Sequence, residues 1–440
     1  MKYKITFIAA LFVSLIGVQI QAQEILTFED VVEIGLQNNF DIKISENNRE
    51  IANNNYSVGN AGFLPTLDIQ AVYAGDNNLR FQGTSASDSV FVVRDVRSNN
   101  YGASATLNWV FFDGARMFVT YDKLNDIREQ AQWDAKGIVE NTLSNILIAY
   151  YTIINEKSRF DILENTLALS RERLQIAEEK YKLGNFSKSE YLSAQVDFNA
   201  DQSAYISQKG ALSDAKVQLN VLLARDAEQV FTVADSIITI DGFFEIEKLR
   251  NKLREENYNL ISSRIGLKIA EKEKNEIRTE LLPQLAFSAT SGLGRSNNPI
   301  GFLRATESTY LNYGFTASWR IFDGFNRNRR VENAIITRDN QQVSLDQLKN
   351  ELLGQLETQY VLYQNRLELI RLEVKNVEVA KDNAEIALES FKVGRSNSLA
   401  FREAQLNAVQ AAGRLLNALF EAKLAEIEIL RITGTTITEY

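Results

Sequence analysis

No cysteine and no histidine occur anywhere in the 440 residues. Without cysteine there are no disulfides and no thiolate metal sites, and stability must come from burial or assembly. Without histidine the commonest general base and metal ligand is missing, which leaves only carboxylate, lysine, tyrosine or serine chemistry. Methionine is confined to Met1 and Met117, too few for a soft-metal path. No Gly-rich phosphate loop or Walker-type sequence is present. These absences weigh against an enzyme, and no cofactor is expected. Only three prolines occur, none of them between Pro65 and Pro283 or after Pro299, so long unbroken helices are permitted. Apolar runs are also short: the best after the N-terminus, Ile146 to Ile154, is interrupted by two tyrosines and cannot span a bilayer as a helix.

The exception is the N-terminus itself. Lys2 and Lys4 precede an apolar stretch from Ile5 to Val18 and then Ile20-Gln21-Ala22, the charged, apolar and small-residue regions of a secretory signal covering residues 1–22. The charge after its removal is 46 minus 57, or −11 (two lysines and no acids are lost from 48 and 57). An acidic exported chain is not expected to bind nucleic acid, whose recognition rests on phosphate neutralisation by Lys and Arg.

The chain is duplicated. Leu64-Pro65-Thr66-Leu67 recurs as Leu282-Pro283-Gln284-Leu285, and Trp109 to Gly114 (WVFFDG) recurs as Trp319 to Gly324 (WRIFDG). Tyr181-Lys-Leu-Gly184 recurs as Phe391-Lys-Val-Gly394, and the same register sets Ala194-Gln195 against Ala404-Gln405. The last two motif pairs share an offset of 210 (324 − 114 and 394 − 184), whereas the first is offset by 218 (283 − 65). Eight extra residues are therefore expected in the polar loop Gly75 to Val90 of the first copy. Repeats are placed at 23–230 and 231–440.

Within each repeat the period switches between two and 3.6. Tyr101, Ala103, Ala105, Leu107, Trp109 and Phe111 share one face of a strand, with Asn100, Gly102, Ser104, Thr106 and Asn108 on the other; residues 311–321 repeat the pattern, with Arg320 on the polar face. Hairpins are expected at about 64–112 and 283–322. The rest reads as helix: one helix before the first hairpin, then 113–183 and 187–224 in the first repeat, and 245–282, 324–393 and 397–432 in the second. The longest would run about 70 residues, roughly 105 Å. Gly184 and Gly394 sit where a helix C-cap needs positive φ, and Asp113 and Asp323 are placed to N-cap the helices that follow Gly114 and Gly324.

A sheet with one aromatic, apolar face and one face of Gly, Ser, Thr and Asn either packs on a core or faces lipid. The export signal, the roughly 10-residue alternating segments and the interface tryptophans Trp109 and Trp319 favour lipid. Strand edges cannot stay open in hydrocarbon, and four strands cannot close alone. Two chains would give eight strands and three would give twelve; a small polar inner face argues for three or more. The alternative is a secreted coiled-coil structural or adhesive protein whose hairpins pack on its own helices.

The duplicated hairpin-and-long-helix plan, the Phe-Asp-Gly at each strand-to-helix junction and the Tyr-Lys-Leu-Gly and Phe-Lys-Val-Gly turns followed by Ala-Gln resemble the TolC-type outer-membrane efflux proteins over essentially the whole mature chain. The resemblance implies a mainly α chain with a membrane β-barrel portion, a homotrimer closing a 12-stranded barrel in the outer membrane, and coiled-coil-like helices forming a periplasmic tunnel. It implies a passive conduit in a tripartite efflux or type I secretion system, partnered by a periplasmic adaptor (membrane fusion) protein and an inner-membrane pump. The turns at 181–195 and 391–405 become the adaptor-docking tip, with Tyr181, Leu183, Gly184, Ser187, Phe391, Val393, Gly394 and Arg395 as candidate contacts. Acidic gate rings in the family fall at the sixth and ninth positions after the second turn glycine. Here these are Ala400 and Glu403, a departure that leaves Glu403 for a single ring, with Glu190 as the sixth position of the first copy. Some members carry a lipid anchor on an N-terminal cysteine, which this chain lacks, and Tyr440 receives no role.

Overall fold

The computed structural model describes residues 24–84, 88–240, 243–300 and 303–436; the signal segment and Tyr440 lie outside them. In chain order the elements are β1 (Glu24–Leu26), α1 (Phe28–Asn38), α2 (Phe40–Asn55), β2 (Thr66–Thr84), β3 (Val90–Asp113), α3 (Arg116–Lys182) and α4 (Lys188–Leu222). There follow β4 (Phe231–Val233), α5 (Ile246–Glu256), α6 (Tyr258–Thr279), β5 (Gln284–Asn297), β6 (Ala305–Ser318), α7 (Asn326–Lys392) and α8 (Ser398–Thr433). The chain forms two compact units, each assembled from three segments.

The first unit comprises Met1–Asn39, Leu143–Gly242 and Leu362–Ile427. Its core gathers the apolar run that is too short to span a bilayer: Ile146, Leu147, Tyr150, Ile153 and Ile154 of α3 pack with Leu219 of α4, Phe231 of β4 and Ile427 of α8. The Tyr150 hydroxyl donates to Asp235 at 2.8 Å, which is how a buried tyrosine is tolerated there. β1 and β4 pair in parallel, from Glu24 with Phe231 to Leu26 with Val233.

The second unit comprises Phe40–Thr142, Phe243–Val361 and Glu428–Tyr440, and holds a four-stranded sheet in the order β2-β3-β5-β6, antiparallel throughout. Cross-strand partners share a face. One face therefore carries the rows Leu67, Leu107, Ala289, Tyr313 and Ile69, Ala105, Ser291, Leu311. The other carries Thr66, Asn108, Ser288, Gly314 and Asp68, Thr106, Thr290, Asn312, with the Thr106 and Thr290 hydroxyls 3.1 Å apart. On the apolar face Ile69 is 81% and Phe315 77% exposed, so no described element covers it. The expectation of an alternating, two-faced sheet holds, and the reading in which the hairpins pack on their own helices fails.

Several boundaries differ from those read in the sequence. Gly75 to Thr84 is strand and not loop: pairing continues from Gly75 with Asn99 out to Thr84 with Val90, so the eight extra residues lengthen the first hairpin. β2 has 19 residues against 14 in β5. The polar stretch forms strand because the ladder itself satisfies its backbone groups. In the second hairpin β6 stops at Ser318, the partner of β5's first residue Gln284, so 319–322 have no strand beside them among the described residues. A bulge between Val110 and Phe112 takes Phe111 out of the simple alternation.

The expected helix 245–282 is broken at Asn257. Its side-chain oxygen accepts from the Leu260 amide at 2.9 Å, capping α6, while its Nδ2 donates to the Ile432 carbonyl at 2.9 Å. At the offset of 218 stands Asn39, between α1 and α2, whose Nδ2 donates to the Leu222 carbonyl at 2.8 Å. Leu222 and Ile432 are themselves 210 apart, so the duplication extends to a buried polar pin. Replacing Asn257 with alanine removes a cap and leaves the Ile432 carbonyl without its donor, a loss of about 2 to 3 kcal/mol. Guanidinium unfolding in detergent, followed by circular dichroism, is the check; an unchanged midpoint would refute the pin.

Candidate functional site

The two turns of the first unit have one geometry. After α3 the amide of Gly184 bonds to Tyr181 O and that of Asn185 to Lys180 O; after α7 Gly394 bonds to Phe391 O and Arg395 to Ser390 O, all at 2.8–3.1 Å. With φ of 77° at Gly184 and 75° at Gly394, these are Schellman-type ends that need a residue free to adopt positive φ. Each following helix is then capped. Ser187 Oγ accepts from the Glu190 amide at 3.2 Å while the Glu190 carboxylate accepts from the Ser187 amide at 2.8 Å, a reciprocal capping box; in the second copy Asn397 accepts from the Ala400 amide at 2.8 Å. The bond from the Ser187 amide holds the Glu190 carboxyl below its ordinary value.

The turns touch each other through Lys180. Its Nζ donates to the Phe391 carbonyl at 3.1 Å and lies 4.7 Å from the Phe391 ring and 5.2 Å from that of Phe186. Phe391 is buried and stacked on Phe401 with centroids 6.0 Å apart. It belongs to the core of the turn, where it shapes the tip from within. Leu183 and Val393, equivalent in the repeat, are 75% and 67% exposed; Tyr181, stacked on Tyr191, is partly so. The Arg395 amide bonds back to Ser390 O, and Ser187 and Glu403 lie on the surface.

The second unit holds the strand-to-helix junctions. Asp113 Oδ1 accepts from the Met117 amide at 3.0 Å, and Asp323 Oδ2 accepts from the Arg327 amide at 2.8 Å, so both carboxylates satisfy first-turn donors as expected of caps. Gly114 and Ala115 both have positive φ, as do Gly324 and Phe325, which reverses the chain between strand and helix. The tryptophans have a role that was not foreseen. Trp109 Nε1 donates to Phe63 O, and Trp319 Nε1 to Leu281 O, each at 2.9 Å. Both acceptors lie two residues before the motif proline, so each indole ties the end of one hairpin strand to the entrance of the other while its ring stays partly exposed.

The family profile described as Outer membrane efflux protein matches residues 31–225 and 249–435. The chain belongs to this family. It is similar to the alkaline protease secretion protein AprF of Pseudomonas aeruginosa, with 21% identity over 90% of this chain and 80% of that protein. Among solved structures the Campylobacter jejuni CmeC outer membrane channel superposes with a TM-score of 0.76 at 18% identity, covering 92% of this chain and 85% of that one. The open-state Neisseria gonorrhoeae MtrE outer membrane channel gives 0.67 at 15% identity, covering 92% and 88%. This efflux-family protein is thus an outer-membrane channel for efflux or secretion, with its helical portion on the periplasmic side. The family is one of channels, not enzymes, whose members work with periplasmic adaptors and inner-membrane pumps.

Beneath the turns of this efflux-family chain lies a polar network that the sequence reading did not find. Arg402 of α8 makes a bidentate pair with Asp201 of α4, Nη1 to Oδ2 at 2.6 Å and Nη2 to Oδ1 at 2.9 Å. Ser170 of α3 donates to the same carboxylate, and Arg173 of α3 donates to Asp197 of α4. Gln405, in the Ala-Gln motif, donates to Thr166 O and Ser170 Oγ at 3.2 Å. Its repeat equivalent Gln195 is exposed and that of Arg402 is Leu192, so the network joins the two copies once and has no duplicate. The pattern of Arg402 and Gln405 one turn apart was the available signal.

Proposed function

We propose that three copies assemble into a closed 12-stranded barrel and act as a passive conduit, driven by an inner-membrane pump through a periplasmic adaptor. The observation that carries this reading is the sheet itself: β2 and β6 each have an outer edge with no strand partner among the described residues, on a sheet with one face apolar and exposed. Unpaired backbone in hydrocarbon costs several kcal/mol per group, and pairing β6 with the β2 of a second copy removes both edges. Repeating that contact is heterologous and closes as a ring. Three copies leave an aqueous lumen lined by the Gly, Ser, Thr and Asn face, which two would fill with side chains. The mature chain should purify from outer membranes only with detergent and run as a trimer that heating converts to monomer. A soluble monomer would end the proposal.

Docking of the adaptor falls to the turns, through exposed Leu183, Val393, Tyr181, Ser187 and Arg395. Protein cargo is the mode for which the relative AprF is named. For the gate we take Glu403, which is exposed, over Glu190, whose carboxylate serves the Ser187 cap. Three copies of Glu403 around a narrow mouth attract cations. Glu403→Ala should lower the potassium-to-chloride permeability ratio in planar bilayers by roughly twofold or more; the same ratio in variant and parent would remove the ring from the account.

A further inference from the structure

The recess at the strand-to-helix junctions of the second unit, about 1180 Å³, opens on the sheet's polar face, where Thr66, Asn108, Gln284 and Ser318 line it. Five arginines also line it, Arg116, Arg320, Arg327, Arg329 and Arg330, against three carboxylates, Asp113, Glu280 and Asp323. The excess of two positive charges (five minus three) stands out in a chain of net charge −9.

Part of the cluster is structural. Arg330 is paired with Glu280, Arg327 Nη1 donates to the Glu280 backbone carbonyl at 3.0 Å, and Arg116 lies 4.0 Å from Asp113. Arg330 holds the Glu280 carboxyl below its ordinary value. Arg320 and Arg329 are exposed and have no ion-pair partner among the described residues. The internal repeat supplies a control. At the offset of 210, Arg320, Arg327, Arg329 and Arg330 correspond to Val110, Met117, Val119 and Thr120, so the charge is a property of the second copy and is not needed to make the junction. The proposed assembly does not cancel it, since the polar face of a neighbouring β2 brings one carboxylate near this level, Asp68, against the excess of two. The segment leading into a neighbouring β2, residues 51–65, contains no acidic residue.

We propose that this recess is a station in the passage for oxyanionic groups of the cargo, carboxylate, sulfate or phosphate, held by Arg320 and Arg329. The inference rests on the conduit reading, because only there does the polar face become the wall of a lumen. Guanidinium forks suit planar and tetrahedral oxyanions, and three copies would present six such side chains around one level of the passage. A polyanion entering there should be slowed, and the passage as a whole should admit anions that the chain's net charge would otherwise repel.

The test uses the full mature channel in planar bilayers, with inositol hexakisphosphate as the probe. The parent should conduct and be blocked by the probe. In the double variant Arg320→Gln with Arg329→Gln, the half-blocking concentration should rise by on the order of tenfold and the reversal potential in a potassium chloride gradient should move toward cation selectivity. The double variant Arg320→Lys with Arg329→Lys retains charge and should keep most of the block, which separates a charge effect from a folding defect. Normal conductance with the same block in the glutamine variant and the parent overturns the station and leaves the conduit intact. A parent that forms no pore overturns both.

Discussion

Arg402→Ala destabilises the first unit by about 3 to 5 kcal/mol, because it leaves the Asp201 carboxylate, 8% exposed, without its bidentate partner. The loss does not measure the worth of the pair. Most of it is the cost of an uncompensated charge among helices, and the double variant Arg402→Met with Asp201→Leu should recover a large part of it. Because Asp201 also accepts from Ser170, and Gln405 reaches Ser170 from α8, the damage should spread to the contacts among α3, α4 and α8. The check is guanidinium unfolding in detergent for both single variants and the double. Equal destabilisation by single and double variants would show that the pair's burial is not the cause.

Gly114→Ala should be worse than Gly324→Ala, although the two glycines occupy equivalent positions. Both have positive φ, 75° and 67°, and a Cβ there costs about 1 to 2 kcal/mol. That cost is bearable, since Ala115 and Phe325 adopt the same region next door. What differs is space. A Cβ on Gly114 would stand 2.4 Å from the Thr279 carbonyl oxygen and 3.0 Å from Leu282 Cβ, whereas on Gly324 the nearest atom is 3.8 Å away. Backbone cannot swing aside as a side chain can, so the start of α3 must move from the end of α6. We expect a loss of about 3 kcal/mol or more for Gly114→Ala and about 1 to 2 for Gly324→Ala. Equal losses would mean that only the dihedral matters.

The features that sequence revealed are those written in period and repetition. The hairpins announced themselves through a two-residue alternation that the ladder from Thr66 with Asn108 to Gln284 with Ser318 reproduces. The turns announced themselves through a glycine at the same place in both copies. Less legible were features depending on a partner far along the chain. The indole of Trp109 binds a carbonyl 46 residues away, and Gln405 binds a carbonyl 239 residues away. Phe391 looks like Tyr181 in the motif, yet one is buried and the other partly exposed, because Lys180 and Phe401 close over only one of them. Asn39 and Asn257 were readable in principle, at the same offset as the proline motifs, but an asparagine inside a helical stretch does not say that its amide will find a carbonyl. The polar run around Gly75 misled for a simpler reason: composition marks a loop only where no neighbouring strand offers bonds.

The unequal hairpins start at the same repeat position, Thr66 and Gln284, but the first runs five residues further (19 against 14), roughly 17 Å along the strand. With the helices in the periplasm, that surplus points away from the cell. The ribbon around Phe81 and Phe91, which has no counterpart in the shorter second hairpin, is therefore the part of the sheet that reaches furthest from the periplasmic helices. On the outward side the two copies of the duplication are thus unequal, and only the first supplies the added length.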